Sequence, residues 1–114
     1  MVKIYGIPNC DTVKKARKWL DTNGIDYEFI DFRKTPLNAA RLKNWAATVE
    51  WETLLNKRSR TWKEIPDSKK EPFNKATALK LMQENVTLIK RPVLDKDGEI
   101  LVGFKDSDYR SLFR

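Results

Sequence analysis

Val2-Lys3-Ile4-Tyr5-Gly6-Ile7-Pro8-Asn9-Cys10-Asp11-Thr12-Val13-Lys14-Lys15-Ala16-Arg17-Lys18-Trp19-Leu20 is the stretch from which the architecture is read. Residues 2–7 are short, apolar and closed by Pro8-Asn9, which makes them a strand. Asp11 or Thr12 then reads as a helix cap. Val13, Ala16 and Leu20 recur at helical spacing with Trp19 beside them, and lysines and arginines fill the other face. Asn23-Gly24 stops the helix, because glycine takes the left-handed conformation there without a steric penalty. Ile25, Tyr27 and Phe29 alternate with Asp26 and Glu28, so a second strand follows. Two strands joined by one helix imply a βαβ unit, hence parallel pairing and an α/β fold class.

Working outward, Thr35-Pro36 reads as the next helix start, a hydroxyl cap followed by a proline at the first turn. Ala39, Leu42, Ala46 and Val49 mark its inner side. Residues 51–55 continue as a short apolar helix or turn, and residues 56–65 are polar and basic. Residues 74–84 form a helix with Ala78, Leu81 and Met82 inward. Residues 86–89 are apolar, Lys90-Arg91-Pro92 interrupts, and Val93-Leu94 is a short strand. Asp97-Gly98 is a hairpin signal, and residues 100–102 return as a strand. Asp106 or Ser107 caps a final helix carrying Tyr109, Leu112 and Phe113. Strands at both ends make the middle an insertion within a single domain.

The composition excludes several chemistries. The chain has 114 residues, 40% hydrophobic and 34% charged, which suits one folded domain. Histidine is absent, so Ser-His-Asp triads, Cys-His dyads and histidine zinc sites are excluded. The single cysteine, Cys10, rules out an intrachain disulfide and a CxxC pair. No long apolar run or signal-peptide pattern occurs, so a cytoplasmic protein with no membrane partner is the expectation. The net charge of +7 favours anionic partners or a merely soluble surface. The basic residues are dispersed, so no direct nucleic-acid contact is expected.

Cys10 lies between the first strand and the first helix, where open α/β sheets bind ligands. A helix start favours negative charge, and a thiolate is one. Lys14 and Arg17 follow on the cysteine's side of a helix. The bland alternative is a small buried hydrophobe; the polar neighbours Asn9 and Asp11 suit an exposed loop better. Arg91-Pro92 is the second feature: the arginine fork suits a carboxylate or oxyanion, and the bland alternative is a surface arginine before an edge strand. Trp19, Trp45, Trp51 and Trp62 read as packing residues. Residues 57–63 interleave Lys57, Arg58, Arg60 and Lys63 with Trp62, which suits a solvated face or an acidic partner.

The segment from Tyr5 to Ala16, with Asn56-Lys57-Arg58-Ser59, Arg91-Pro92-Val93-Leu94 and Val102-Gly103-Phe104 in the same order, resembles the ArsC/Spx/YffB family, and its YffB-like branch most closely. The resemblance implies a bacterial protein with a thioredoxin-like mixed sheet and a helical insertion at about residues 34–88 of one domain, 1–114. It implies a nucleophilic thiol at Cys10, a cis Pro92 and an anion-binding Arg91, with Thr12, Lys14, Arg91 and Pro92 as the substrate-binding set. It also implies glutathione or another small thiol as cosubstrate, glutaredoxin as a partner, and no metal or nucleotide cofactor. Arsenate reductases of this type carry a histidine where Gly6 stands, and arginines near Asn56-Lys57 and near Gly103-Phe104; of that arginine set this chain keeps Arg91. Spx-type redox switches often carry a CxxC, and the matching position here is Val13.

The resulting expectation is a glutathione-dependent thiol/disulfide oxidoreductase that uses one nucleophilic cysteine. The alternatives are an Spx-like regulator docking on RNA polymerase, and an arsenate reductase proper whose loop amides after Cys10 cradle the oxyanion.

Overall fold

The computed structural model describes residues 1–114 and divides into two compact units, residues 1–35 with 91–114, and residues 36–90. The first unit holds strand β1 (Val2–Gly6), helix α1 (Asp11–Thr22) and strand β2 (Tyr27–Asp31). After the second unit it resumes with strands β3 (Val93–Lys96) and β4 (Glu99–Val102) and helix α6 (Asp106–Leu112). The sheet order is β2-β1-β3-β4. β1 runs parallel to β2, as the βαβ reading requires, and antiparallel to β3, which pairs antiparallel with β4.

The apolar stripe of α1 is buried at Val13, Ala16 and Leu20. Ile4, Ala16, Leu20, Leu94 and Tyr109 form one core cluster, with Trp19, Phe104 and Phe113 packed against it. Fully burying a side chain such as Ile4 or Leu20 contributes about 1.5–3 kcal/mol. A hydrogen-bonded end closes α1: Gly24 N donates to the Asp21 carbonyl at 3.1 Å and Ile25 N to the Leu20 carbonyl at 2.9 Å, with Gly24 at φ +66°. This commits Ile25 to the helix end, so β2 begins at Tyr27, two residues later than its alternation suggests. The β3–β4 hairpin turns at Asp97 (φ 51°) and Gly98 (φ 97°), the pair of positive angles that an Asp-Gly turn supplies.

The second unit contains α2 (Ala39–Thr48), α3 (Trp51–Leu54), α4 (Arg60–Glu64) and α5 (Lys75–Glu84), with 3-10 turns at Asp67–Lys70 and Val86–Leu88. α2 and α3 pack on α5 around Leu42, Trp45, Leu54, Ala78 and Met82. Two sequence expectations are corrected here, the start of α2 and the cap of the last helix. Thr35 does not start a helix: its amide donates to the Asp31 carbonyl at 2.8 Å, closing the turn after β2. Asn38 caps α2 instead, its side chain accepting from Arg41 N at 2.7 Å, which leaves Ala39 exposed and turns Trp45 inward. The apolar stretch at 86–89 is a 3-10 turn, Val86–Leu88, followed by Ile89, which forms an isolated bridge with Leu55. At the far end, Lys105 occupies the cap of α6, so Asp106 and Ser107 lie within its first turn.

Two positions give direct tests. A Cβ on Gly6 would lie 2.7 Å from Cγ2 of Val13, which is itself fully buried. Gly6→Ala is therefore expected to destabilise by about 1–3 kcal/mol in urea unfolding, and to cost less when combined with Val13→Ala than the two single losses added together. Tyr109 is fully buried and its hydroxyl has no hydrogen-bond partner. Burial raises its pKa well above the ordinary 10.0, so the fold favours the neutral phenol. This contribution to stability is complete below pH ~10 and is lost as pH rises from there toward the folded value. Tyr109→Phe is expected to change stability by less than about 1 kcal/mol near neutral pH and to flatten the alkaline decline in unfolding free energy.

Candidate functional site

The register of the sheet assembles the site. Gly6 is the last residue of β1, opposite Asp31 of β2. On the other side Tyr5 pairs with Val93, and Val93 pairs with Val102. The loop after β1, the segment before β3 and the turn after β4 therefore meet at one end of the sheet. Cys10, Arg91-Pro92 and Gly103, remote in sequence, share that end.

Cys10 is the N-cap of α1, with extended backbone angles (φ −92°, ψ 125°). That role falls one residue earlier than Asp11, the first cap candidate, because Pro8 and Asn9 complete a tight turn in which Cys10 N donates to the Ile7 carbonyl at 3.3 Å. The Cys10 carbonyl then accepts from Lys14 N at 2.9 Å, the first bond of the helix. The side chain makes no capping hydrogen bond and is half-buried, between the exposed Asn9 and the exposed Asp11. The amides of residues 11–13 have no carbonyl one turn back, so donors and the positive end of the helix dipole gather beside the thiol. Thr12 is half-buried in this first turn, and Lys14, one turn on, is exposed.

Arg17 does not join them. Its Nε donates to the Tyr27 hydroxyl at 3.2 Å and its guanidinium lies 4.2 Å from the centre of the Phe29 ring, so β2 holds it. Arg91 is half-buried, and the Arg91-Pro92 peptide is cis. Pro92 is buried and its carbonyl accepts from Gly103 N at 2.8 Å, which ties the turn after β4 to the start of β3. Gly103 adopts φ +77°, a left-handed conformation that a side chain would strain. Gly6 and Gly103 are the positions that sequence reading passed over as site residues; the available signal was a glycine at a strand end in each case.

The Asn56–Ser59 block lies in the helical unit. The Asn56 side chain accepts from Arg58 N at 3.1 Å, and the Ser59 hydroxyl caps α4 by accepting from Trp62 N at 3.1 Å. The tryptophans are packing residues: Trp45 is buried, Trp19 stands edge-on to Tyr109, and Trp51 and Trp62 both meet Phe73. No three His, Cys, Asp or Glu side chains gather where they could hold a metal ion, and no helix is long and apolar enough to cross a membrane.

Comparison with known proteins places this geometry. An uncharacterised protein of Haemophilus influenzae is 42% identical over 99% of both chains. The global transcriptional regulator Spx of Enterococcus faecalis is 29% identical over 96% of this chain and 84% of its own. Among solved structures, the YffB protein superimposes with a TM-score of 0.94 at 38% identity, covering 97% of each chain. The four-stranded mixed sheet with its helices is thus a thioredoxin-like fold. The ArsC family model matches residues 5–112, from the end of β1 to the end of α6, and the chain belongs to the ArsC family.

Proposed function

We propose that this protein is a glutathione-dependent thiol/disulfide oxidoreductase in which Cys10 is the nucleophile. The observation that carries the reading is a lone thiol at the N-cap of α1, half-buried rather than in the core, at the sheet end that also holds Arg91 and Pro92. In the first step the Cys10 thiolate attacks one sulfur of a disulfide substrate. A new S–S bond forms to Cys10, the substrate S–S bond breaks, and the departing sulfur leaves with the electron pair and takes a proton from water. With no second cysteine in the chain, an external thiol must complete the cycle. A glutathione thiolate attacks the mixed disulfide, joins the substrate sulfur and returns the electron pair to Cys10. Thr12 and the first-turn amides of α1 hold the anionic sulfur environment, and Lys14 and Arg91 bind the carboxylates of glutathione. Pro92 offers no amide hydrogen, which leaves room beside the cysteine loop for an extended thiol substrate.

Exposure to oxidised glutathione is expected to add one glutathionyl group per chain by mass spectrometry, reversed by reductant and absent in Cys10→Ser, with the Cys10→Ser variant still folded. A wild-type protein that takes up no adduct, or a Cys10→Ser variant that unfolds, rejects the reading. Arg91→Ala is expected to raise the apparent KM for glutathione by roughly tenfold, with a smaller change in kcat, since charge-assisted hydrogen bonds contribute about 1.5–3 kcal/mol. An unchanged KM removes Arg91 from substrate binding.

The likeness to Spx favours a second reading, a regulator that docks on RNA polymerase without turnover. It requires polymerase subunits to co-purify with the tagged protein from bacterial lysate and glutathione turnover to be absent. Turnover without polymerase capture decides for the enzyme.

A further inference from the structure

A groove of about 570 Å³ runs between α1 and α6, on the face of the sheet unit lined by Lys15, Lys18, Trp19, Phe104, Asp106 and Arg110. It follows the later turns of α1 toward Asn23, the opposite end from Cys10. Its floor is aromatic and rigid. Trp19 and Phe104 are half-buried, and both pack edge-on against the fully buried Tyr109, at 5.5 and 4.8 Å between ring centres. The Trp19 indole N–H donates to Asp106 at 2.9 Å, which fixes the ring in place. Part of each ring therefore stays open to the groove in a single orientation.

The charges on the rim are unbalanced. Asp106 is occupied: it pairs with Arg110 one turn along α6 as well as accepting from Trp19. Lys15 and Lys18 are exposed and form no ion pair, so two uncompensated cations stand above the aromatic floor. A nucleic-acid strand would need cations along a track of phosphates, whereas here two cations flank one short apolar floor and a carboxylate closes the far wall. The complement of this surface is a protein segment with carboxylates spaced around a single large apolar side chain.

We propose that the α1–α6 groove is a docking site for an acidic segment of a partner protein, which seats one aromatic or aliphatic side chain on Trp19 and Phe104 and sets its carboxylates against Lys15 and Lys18. Because the floor is held by the core, little ordering is needed on this side of the interface, and the attraction is electrostatic at its rim and apolar at its centre. The site is separate from the thiol chemistry and does not depend on it.

The test is a titration of the full-length, isotope-labelled protein with a synthetic peptide in which one phenylalanine is flanked on both sides by aspartate and glutamate, followed by amide NMR. The expected result is saturable shifts confined to α1, Phe104 and α6, weakened by roughly tenfold or more in the Lys15→Glu/Lys18→Glu double variant and by added salt. A peptide with the phenylalanine replaced by glycine is expected to bind more weakly still at the same salt. Both lysines are exposed, so the double variant keeps the wild-type fold, which its own spectrum verifies. Cys10→Ser is expected to bind the peptide as the wild type does, which separates this site from the redox reading. Shifts that centre on residues 57–70, binding indifferent to the two lysines, shifts caused by self-association of the protein, or no shifts at millimolar peptide would each overturn the proposal.

Discussion

The contact on which the site depends is the approach of β1 to α1 at Gly6 and Val13. The absence of a side chain on Gly6 lets the buried Val13 methyl occupy the space directly over the strand. The helix can then start five residues after the strand ends, and the residue at its cap is Cys10. A larger residue at position 6 would push the helix start outward and carry the thiol with it. The close packing is therefore a statement about chemistry as much as about stability. It sets where the sulfur stands relative to the first-turn amides.

The second constraint is the mixed pairing of the sheet. A parallel neighbour on one side of β1 and an antiparallel one on the other bring the end of β1, the start of β3 and the end of β4 to the same edge. The buried proline at the start of β3, bonded to Gly103, holds two of these three segments together. Arg91 is thereby fixed in sequence to a rigid residue, at the sheet end where Cys10 also lies. The ArsC family membership and the thioredoxin-like fold follow from this arrangement and from the family match over residues 5–112.

Much of the sheet unit was legible in the sequence because its signals are local. The stripe of Val13, Ala16 and Leu20, the stop at Gly24 and the turn at Asp97-Gly98 each act within a few residues, and each is seen as read. What escaped were competitions decided by backbone geometry. Thr35 and Asn38 are both good caps, and the turn after β2 had already taken the Thr35 amide. Cys10 took the cap from Asp11 because the Pro8-Asn9 turn ends there. Arg17 stood at helical spacing from Cys10, but the aromatic rings of β2 drew it away. The inward turn of Trp45 follows from the true start of α2 and could not be placed from Thr35. The grouping of Cys10 with Arg91-Pro92 was expected from the family resemblance, and the register brings the two segments to one end of the sheet.

The order of the strands leaves β2 and β4 as the two outer strands of the sheet. Each is short, five and four residues, and each carries carboxylates, Glu28 and Asp31 on one and Glu99 on the other. Unpaired strand margins invite addition of a foreign strand, and short margins with like charges oppose it. Neither margin offers a long run of free backbone and both carry a carboxylate, so the same residues that finish the sheet also discourage its extension into a fibre.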